Sequence, residues 1–186
     1  NALKIKPDYA EAYCNIGNAL QEKGELNAAI NNYEKALLIT PDYPEVRHIL
    51  ASLTGETTRS APRAYVEKLF DSCAFKFERS LVDDLEYQTP KILSEMIVAN
   101  HFNGSVGSVL DLGCGTGLAG AELRRFCSNL EGLDLSKLMI EEARKKNIYD
   151  RLTHSDIFDY LATEALDFNH LIATDVFIYL GEVSDL

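Results

Sequence analysis

From Tyr9 to Leu53 the apolar residues return every three to four positions, the period of an amphipathic helix. Tyr13, Ile16 and Leu20 predict one helical face, and Leu26, Ile30, Tyr33 and Leu37 predict a second. Small residues at Gly17, Ala29 and Ala36 would let the two helices cross closely, with Gly24 turning the chain between them. Glu45 to Leu53 keeps Val46, Ile49, Leu50 and Leu53 at helical spacing and predicts a third helix. Thr54 to Pro62, with Gly55, two further threonines, Ser60 and a closing proline, predicts a linker. Helical spacing resumes at Tyr65, Leu69 and Phe70, then at Phe77, Leu81 and Leu85. Thr89-Pro90 is a helix start signal, with Thr89 as N-cap and Ile92, Leu93, Met96 and Ile97 as the buried face. The grammar then changes. Ser108 to Leu112, Leu130 to Leu133, Arg151 to His154 and Phe168 to Thr174 are short apolar strand candidates, separated by helical stretches such as Ala119 to Cys127 and Lys137 to Lys146. Strand and helix in alternation predict a parallel sheet.

The first half repeats itself. Pro7-Asp8-Tyr9 recurs as Pro41-Asp42-Tyr43, a period of 34 residues, which is that of the tetratricopeptide repeat. Tyr13, Ile16, Gly17 and Leu20 take the spacing of the WxxLGxxY signature, followed by Ala29, Tyr33 and the closing Pro41. One repeat is therefore complete. Residues 1 to 6 match the end of a preceding repeat, Ala2-Leu3 against Ala36-Leu37, and Arg47 stands where the next repeat would place its large aromatic, so residues 45 to 53 are expected to cap the stack. Such helical pairs present a groove for a protein or peptide partner, or for self-association.

Charge narrows the function classes. The chain carries a formal net charge of −11, with 6 basic against 8 acidic residues up to position 60 and 12 against 21 beyond it. Arg124-Arg125 and Arg144-Lys145-Lys146 are its only basic clusters, which argues against a nucleic-acid surface. No stretch reaches the roughly 20 apolar residues of a membrane span, since Leu171 to Leu180 is short and holds Asp175. Cys14, Cys73, Cys114 and Cys127 lie far apart without a CxxC pair, so neither a zinc site nor a disulfide framework is expected, and a reducing, cytoplasmic setting fits.

The chemistry concentrates at Val109-Leu110-Asp111-Leu112-Gly113-Cys114-Gly115-Thr116-Gly117-Leu118-Ala119-Gly120, which spells DxGxGxG where a strand gives way to a helix. Glycines there permit positive φ and bring backbone N–H groups close to a ligand. A plain tight turn would need one glycine, not three at alternate positions. The overlapping Gly115 to Gly120 also satisfies GxGxxG, with Asp134 downstream at a distance that suits a dinucleotide site. That register leaves Asp111 without a task and sets Asp111 to Cys114 where a dinucleotide fold finishes its apolar strand.

Taken with Gly132-Leu133-Asp134-Leu135-Ser136, Ile148-Tyr149-Asp150 and Ser155-Asp156, the glycine run resembles the successive motifs of class I S-adenosylmethionine-dependent methyltransferases. Phe70-Asp71 with Phe77-Glu78, Tyr87 to Pro90, and Thr174-Asp175-Val176-Phe177 with Tyr179-Leu180-Gly181 resemble, more narrowly, methyltransferases that carry tetratricopeptide repeats. The resemblance implies a Rossmann-like α/β fold, with sheet order 3-2-1-4 for the strands present, behind an all-α repeat segment. The expected division is residues 1–53 for the repeats and their cap, 54–62 for the linker, and 63–186 for the start of the methyltransferase domain. Within the last, residues 63–100 would form a helical lid and 108–175 would hold strands one to four. Seven strands are usual in the family, so the domain is expected to continue past Leu186 by roughly 70 to 100 residues.

The resemblance also implies roles. Asp111, Gly113, Cys114, Gly115 and Gly117 would hold the methionine end of S-adenosylmethionine, Asp134 with Leu135 the ribose hydroxyls, and Asp156 with the backbone of Ile157 the adenine. Asp175 and Phe177 would face the methyl group and an acceptor that the residues do not name. Simpler roles compete: Asp134 could cap the helix that Ser136 begins, and Asp156 could cap a turn before Phe158. Three acids ending three successive strands nevertheless converge where open α/β sheets bind ligands. Cys114 has no base beside it and is expected to be a small residue that fits. His154 and His170 are expected to be structural, and no catalytic base is named. Tyr65, Phe70, Phe75 and Phe77 would be core or lid, with Cys73 replacing the tyrosine usual in the related sequences. A scaffold that binds partners through its repeats and has lost catalysis is the alternative from another class, and a nicotinamide-dependent oxidoreductase is a third.

Overall fold

The computed structural model describes residues 8–56, 60–101, 104–163 and 166–180. The expected tail of a preceding repeat at residues 1–6, and Gly181, lie outside the described residues. The chain forms two compact units, Asn1–Pro62 and Arg63–Leu186.

The described residues of the first unit form three helices, α1 (Ala10–Glu22), α2 (Leu26–Ile39) and α3 (Pro44–Thr54). Its core has the expected small-residue crossing, with Tyr13, Leu20 and Leu37 packed against it, but two of the expected large residues lie outside. The fully buried seam is small residues around one aromatic: Ala10 and Cys14 from α1, Ala29, Tyr33 and Ala36 from α2, and Val46 from α3. Ile16 and Leu26 are exposed. The reason is Gly17, because a Cβ there would lie 2.6 Å from the Tyr33 ring. The ring therefore fills the crossing and brings the helices together on the small row. Tyr33 Oη is within hydrogen-bonding distance of Asn18 Oδ1 and Gln21 Oε1, at 2.9 and 2.8 Å. Arg47, the residue out of keeping with the repeat, donates to the Pro41 carbonyl at 2.7 Å. Helix α3 takes Thr54 as its last residue and closes on Gly55, whose φ of 79° is the left-handed C-cap that glycine favours.

In the second unit, α4 (Arg63–Cys73) is followed by a 3₁₀ turn (Ala74–Lys76), a π-helical segment (Arg79–Asp84) and α5 (Thr89–Ala99). Gln88, not Thr89, is the N-cap of α5, and no side chain caps it. Proline then sits at the second helical position, whose N–H has no intrahelical acceptor to lose. The sheet has four parallel strands in the order β3-β2-β1-β4: β1 (Gly107–Leu112), β2 (Cys127–Asp134), β3 (Arg151–His154) and β4 (His170–Ile172). Two strands depart most from the reading of the sequence. β2 begins at Cys127, because the helix after β1, α6 (Leu118–Leu123), ends early in a 3₁₀ turn at Arg124–Phe126. β4 is reduced to three residues, pairing only Val109, Leu110 and Asp111 of β1. Beyond β2 come α7 (Lys137–Lys145) and, after β3, α8 (Ile157–Thr163), with α9 (Phe177–Leu180) following β4.

Side-chain alternation divides the core. Val109 and Leu130 pack on one face with Ala119 and Leu123 of α6, while Leu93, Ile97 and Val98 of α5 close that layer. Leu110, Leu112 and Leu133 pack on the other with Ile157 and Tyr160 of α8. Both faces are covered, so the buried positions of β1 and β2 are mainly apolar. Asp111 and Asp134 are the buried acids near the carboxyl ends of these strands.

Candidate functional site

β1 delivers the chain into Gly113-Cys114-Gly115-Thr116-Gly117, and Gly113, Gly115 and Gly117 have φ of 66°, 54° and 89°. Only glycine enters that region without strain, so the alternation of glycines is a requirement of the turn's shape. The turn is pinned twice by backbone bonds: Cys114 N–H donates to the Leu133 carbonyl and Gly117 N–H to the Cys114 carbonyl, both at 2.9 Å.

Asp134, at the end of β2, is 8% exposed and ties the turn to its neighbour. Its Oδ2 accepts from Gly115 N–H and its Oδ1 from Ser136 N–H, each at 2.8 Å. The helix cap itself is Ser136, whose Oγ accepts from Met139 N–H at 3.1 Å. Asp134 thus braces the turn and does not cap α7. A carboxylate has about four acceptor positions, and these two bonds use half of them. Burial pushes its pKa up, and the two backbone N–H groups oppose that.

Asp111 is wholly buried beneath the turn. Its Oδ2 accepts from Tyr149 Oη at 2.7 Å, while its Oδ1 has no hydrogen-bond partner among the described residues. Thr116 Oγ1 is likewise buried and unpartnered. Desolvation raises the Asp111 pKa to about 7, the Tyr149 hydroxyl holds it down, and Asp134 adds to the rise. Cys114 is buried, its thiol pushed well upward by burial and by Asp111 and Asp134. Both effects disfavour its thiolate.

Asp156 follows β3. Its Oδ1 accepts from Phe158 and Asp159 N–H at 2.9 and 3.3 Å, and Arg63 Nη2 stands 3.0 Å from the same oxygen. The capping role is therefore present, with an arginine from α4 added to it. Ile157 points its side chain into the core and Leu135 is half-buried. His154 Nε2 meets the Leu135 carbonyl at 2.9 Å, and His170 Nε2 meets His101 Nε2 at 3.2 Å. Asp175 is exposed, in the left-handed region at φ 55°, and accepts from Tyr87 Oη. Val176 packs over Gly113, where a Cβ would meet it at 2.5 Å.

The segment after Arg63 comes down over the same ends of the strands. Asp71 of α4 accepts from Ser136 Oγ at 2.5 Å and from Leu138 N–H at 3.2 Å. Phe70 meets Phe77 and Tyr179 edge to face at 6.1 and 5.0 Å, and Phe77 lies against Gly115. Phe75 is exposed and is no part of this packing. Asp71 and Tyr149 were quoted from the sequence only inside larger motifs. Their contacts are made across 65 and 38 residues of chain, which no local spacing announces.

Comparison with known proteins agrees with this geometry. Residues 109–184 match the model of a methyltransferase domain family, and residues 1–24 and 17–53 match that of the tetratricopeptide repeat. Over 97 residues the chain is 30% identical to an uncharacterized methyltransferase of Schizosaccharomyces pombe, covering 45% of this chain and 34% of that one. The chain thus spans about a third of the length of this curated relative. Among solved structures, magnesium protoporphyrin IX methyltransferase from Synechocystis PCC 6803 superposes with a TM-score of 0.52 at 22% identity. Its complex with SAH covers 63% of this chain and 60% of that chain, and its complex with SAM covers 66% of each. That likeness establishes a Rossmann-like methyltransferase fold. The chain is thus similar to the methyltransferase-domain family over residues 109–184 and to tetratricopeptide repeats over its N-terminal helices.

Proposed function

We propose that the unit from Arg63 onward binds S-adenosylmethionine across the Gly113–Gly117 turn and supports transfer of its methyl group to a nucleophilic acceptor. The observation that carries this reading is an acid placed beneath a glycine turn: Asp111, fully buried, with one oxygen unpartnered. A carboxylate in that position attracts a cationic ligand and repels a pyrophosphate, so it favours the sulfonium cofactor over a dinucleotide. The residues present fit the group. Gly113, Cys114, Gly115 and Gly117 offer close backbone approach to its amino-acid end, and Asp134 with Leu135 retains acceptor positions for the ribose. Asp156 and the Ile157 N–H lie where the adenine would be read, and Asp175 lies beyond β4 on the acceptor side. When bound, the cofactor supplies a methyl group already activated by its sulfonium.

The chain's own part is to bind, align and dry the site. The Asp134 bridge sets the turn's shape before any ligand arrives, and Phe70, Phe77 and Tyr179 form an aromatic cover that excludes water on one side. The repeats would recruit a protein or peptide partner, while the chain's strong negative charge leaves nucleic acid disfavoured. No helix among the described residues is long and apolar enough to cross a membrane. Titration with S-adenosylhomocysteine and, separately, NADH by calorimetry tests the reading. Binding of the first alone supports it; binding of NADH alone would select the oxidoreductase, and binding of neither the scaffold.

A further inference from the structure

Gly132 is the residue of β2 that faces Asp111 across the strand pair. Because it has no side chain, the ring of Tyr149 occupies the space beside it. A Cβ at Gly132 would lie 2.9 Å from that ring, and one at Gly120 of α6 would lie 2.3 Å from its hydroxyl. Gly117 is in the same position, at 3.0 Å. Three glycines on three different elements thus leave room for one tyrosine, which enters from the connection between α7 and β3 and ends in a 2.7 Å hydrogen bond to Asp111. An ordinary core aromatic would need neither the three gaps nor a buried carboxylate at its tip.

We propose that Tyr149 is a positioning residue for the cofactor turn, holding Asp111 in the ionised form that favours a cationic ligand while its ring props the glycine loop from below. The inference rests on the methyltransferase reading and deepens it. The other titratable groups facing Asp111 are Asp134 at the end of β2, Cys114 in the turn and Cys127 at the start of β2. All three are acidic or neutral, so the Tyr149 hydroxyl is the group among them that stabilises the carboxylate. With burial already raising Asp111 to about 7, loss of the hydroxyl raises it further, and the site is then protonated through neutral pH.

The test is Tyr149→Phe, which keeps the ring and removes only the donor, in the 186-residue chain from pH 6 to pH 8.5. Two readouts are taken: S-adenosylmethionine affinity by calorimetry, since this ligand carries the sulfonium charge, and thermal unfolding without ligand. Affinity of the variant should fall about fivefold at pH 7 and approach tenfold at pH 6, the full value of one unit of pKa shift expressed as binding, and the deficit should close to within threefold at pH 8.5. Unfolding should move the opposite way. An acid with a raised folded pKa loses its stabilising contribution as pH rises through that pKa, so the melting gap between variant and wild type should widen towards pH 8.5. A deficit that stays constant with pH in both readouts would reduce Tyr149 to packing and overturn the proposal, as would a variant indistinguishable from wild type. If wild type binds no S-adenosylmethionine at any pH, the methyltransferase reading fails. The melting gap then decides the Tyr149–Asp111 coupling by itself.

Discussion

Asp134 and the glycines around Tyr149 are where single side chains decide most. Asp134 carries two backbone hydrogen bonds and, in the proposed complex, two more from ribose hydroxyls. Charge-assisted bonds contribute about 1.5 to 3 kcal/mol each, so Asp134→Ala is expected to weaken S-adenosylhomocysteine binding at least ~tenfold. It should do so more than alanine at any other acid in the chain, and a calorimetric affinity unchanged from wild type would remove the ribose assignment. Gly120→Ala should destabilise the fold by about 1 to 3 kcal/mol in urea unfolding, the usual cost of overpacking, since its Cβ would sit 2.4 Å from Tyr149 Cζ. The residues at the carboxyl ends of the strands were legible in the sequence because each belongs to a local motif with a fixed spacing. Tyr149 was not, since its hydroxyl meets a carboxylate 38 positions away. Nor was the second use of Asp134. A bond to Gly115 N–H depends on how β1 and β2 pair, and spacing along one strand is silent about that.

Among the elements, α4 depends on the site as much as the site depends on α4. Asp71 accepts from both Ser136 Oγ and Leu138 N–H at the start of α7, and Arg63 pairs with Asp156 and Asp159 around α8. Asp71→Ala is expected to cost about 1 to 2 kcal/mol, comparable to a lost N-cap. Amide exchange should speed up across Arg63–Cys73 while β1 and β2 keep their protection. Uniform loss of protection would mean that α4 is part of the core and no lid. Helix existence and the alternation of strand and helix were readable from periodicity; element ends were not. Cys127 was read into a helix because its apolar neighbours fit the 3.6 period, yet Val106 N–H bonds the Phe126 carbonyl and the chain turns into β2 there. At the seam of α1 and α2 the small-residue crossing at Gly17, Ala29 and Ala36 was legible, and the placement of two large residues was not. Hydrophobic size suggested Ile16 and Leu26, but Tyr33 against Gly17 fixes which row of residues meets.

For the whole molecule, two cores built on different periods make two units, residues 1–62 and 63–186. Removal of residues 1–58 is therefore expected to leave S-adenosylhomocysteine affinity within a few-fold of the full chain, whereas its collapse would mean that the repeats complete the site. The central claim is that one turn and the acids around it form a cofactor site, and amide chemical-shift mapping tests it most directly. On addition of S-adenosylhomocysteine, the amides of Gly113 to Gly117, Leu135, Ser136 and Ile157 should shift together along one saturation curve, and those of Ala10 to Thr54 should stay in place. Shifts that spare the glycine turn, or that gather on the repeat helices, would contradict it.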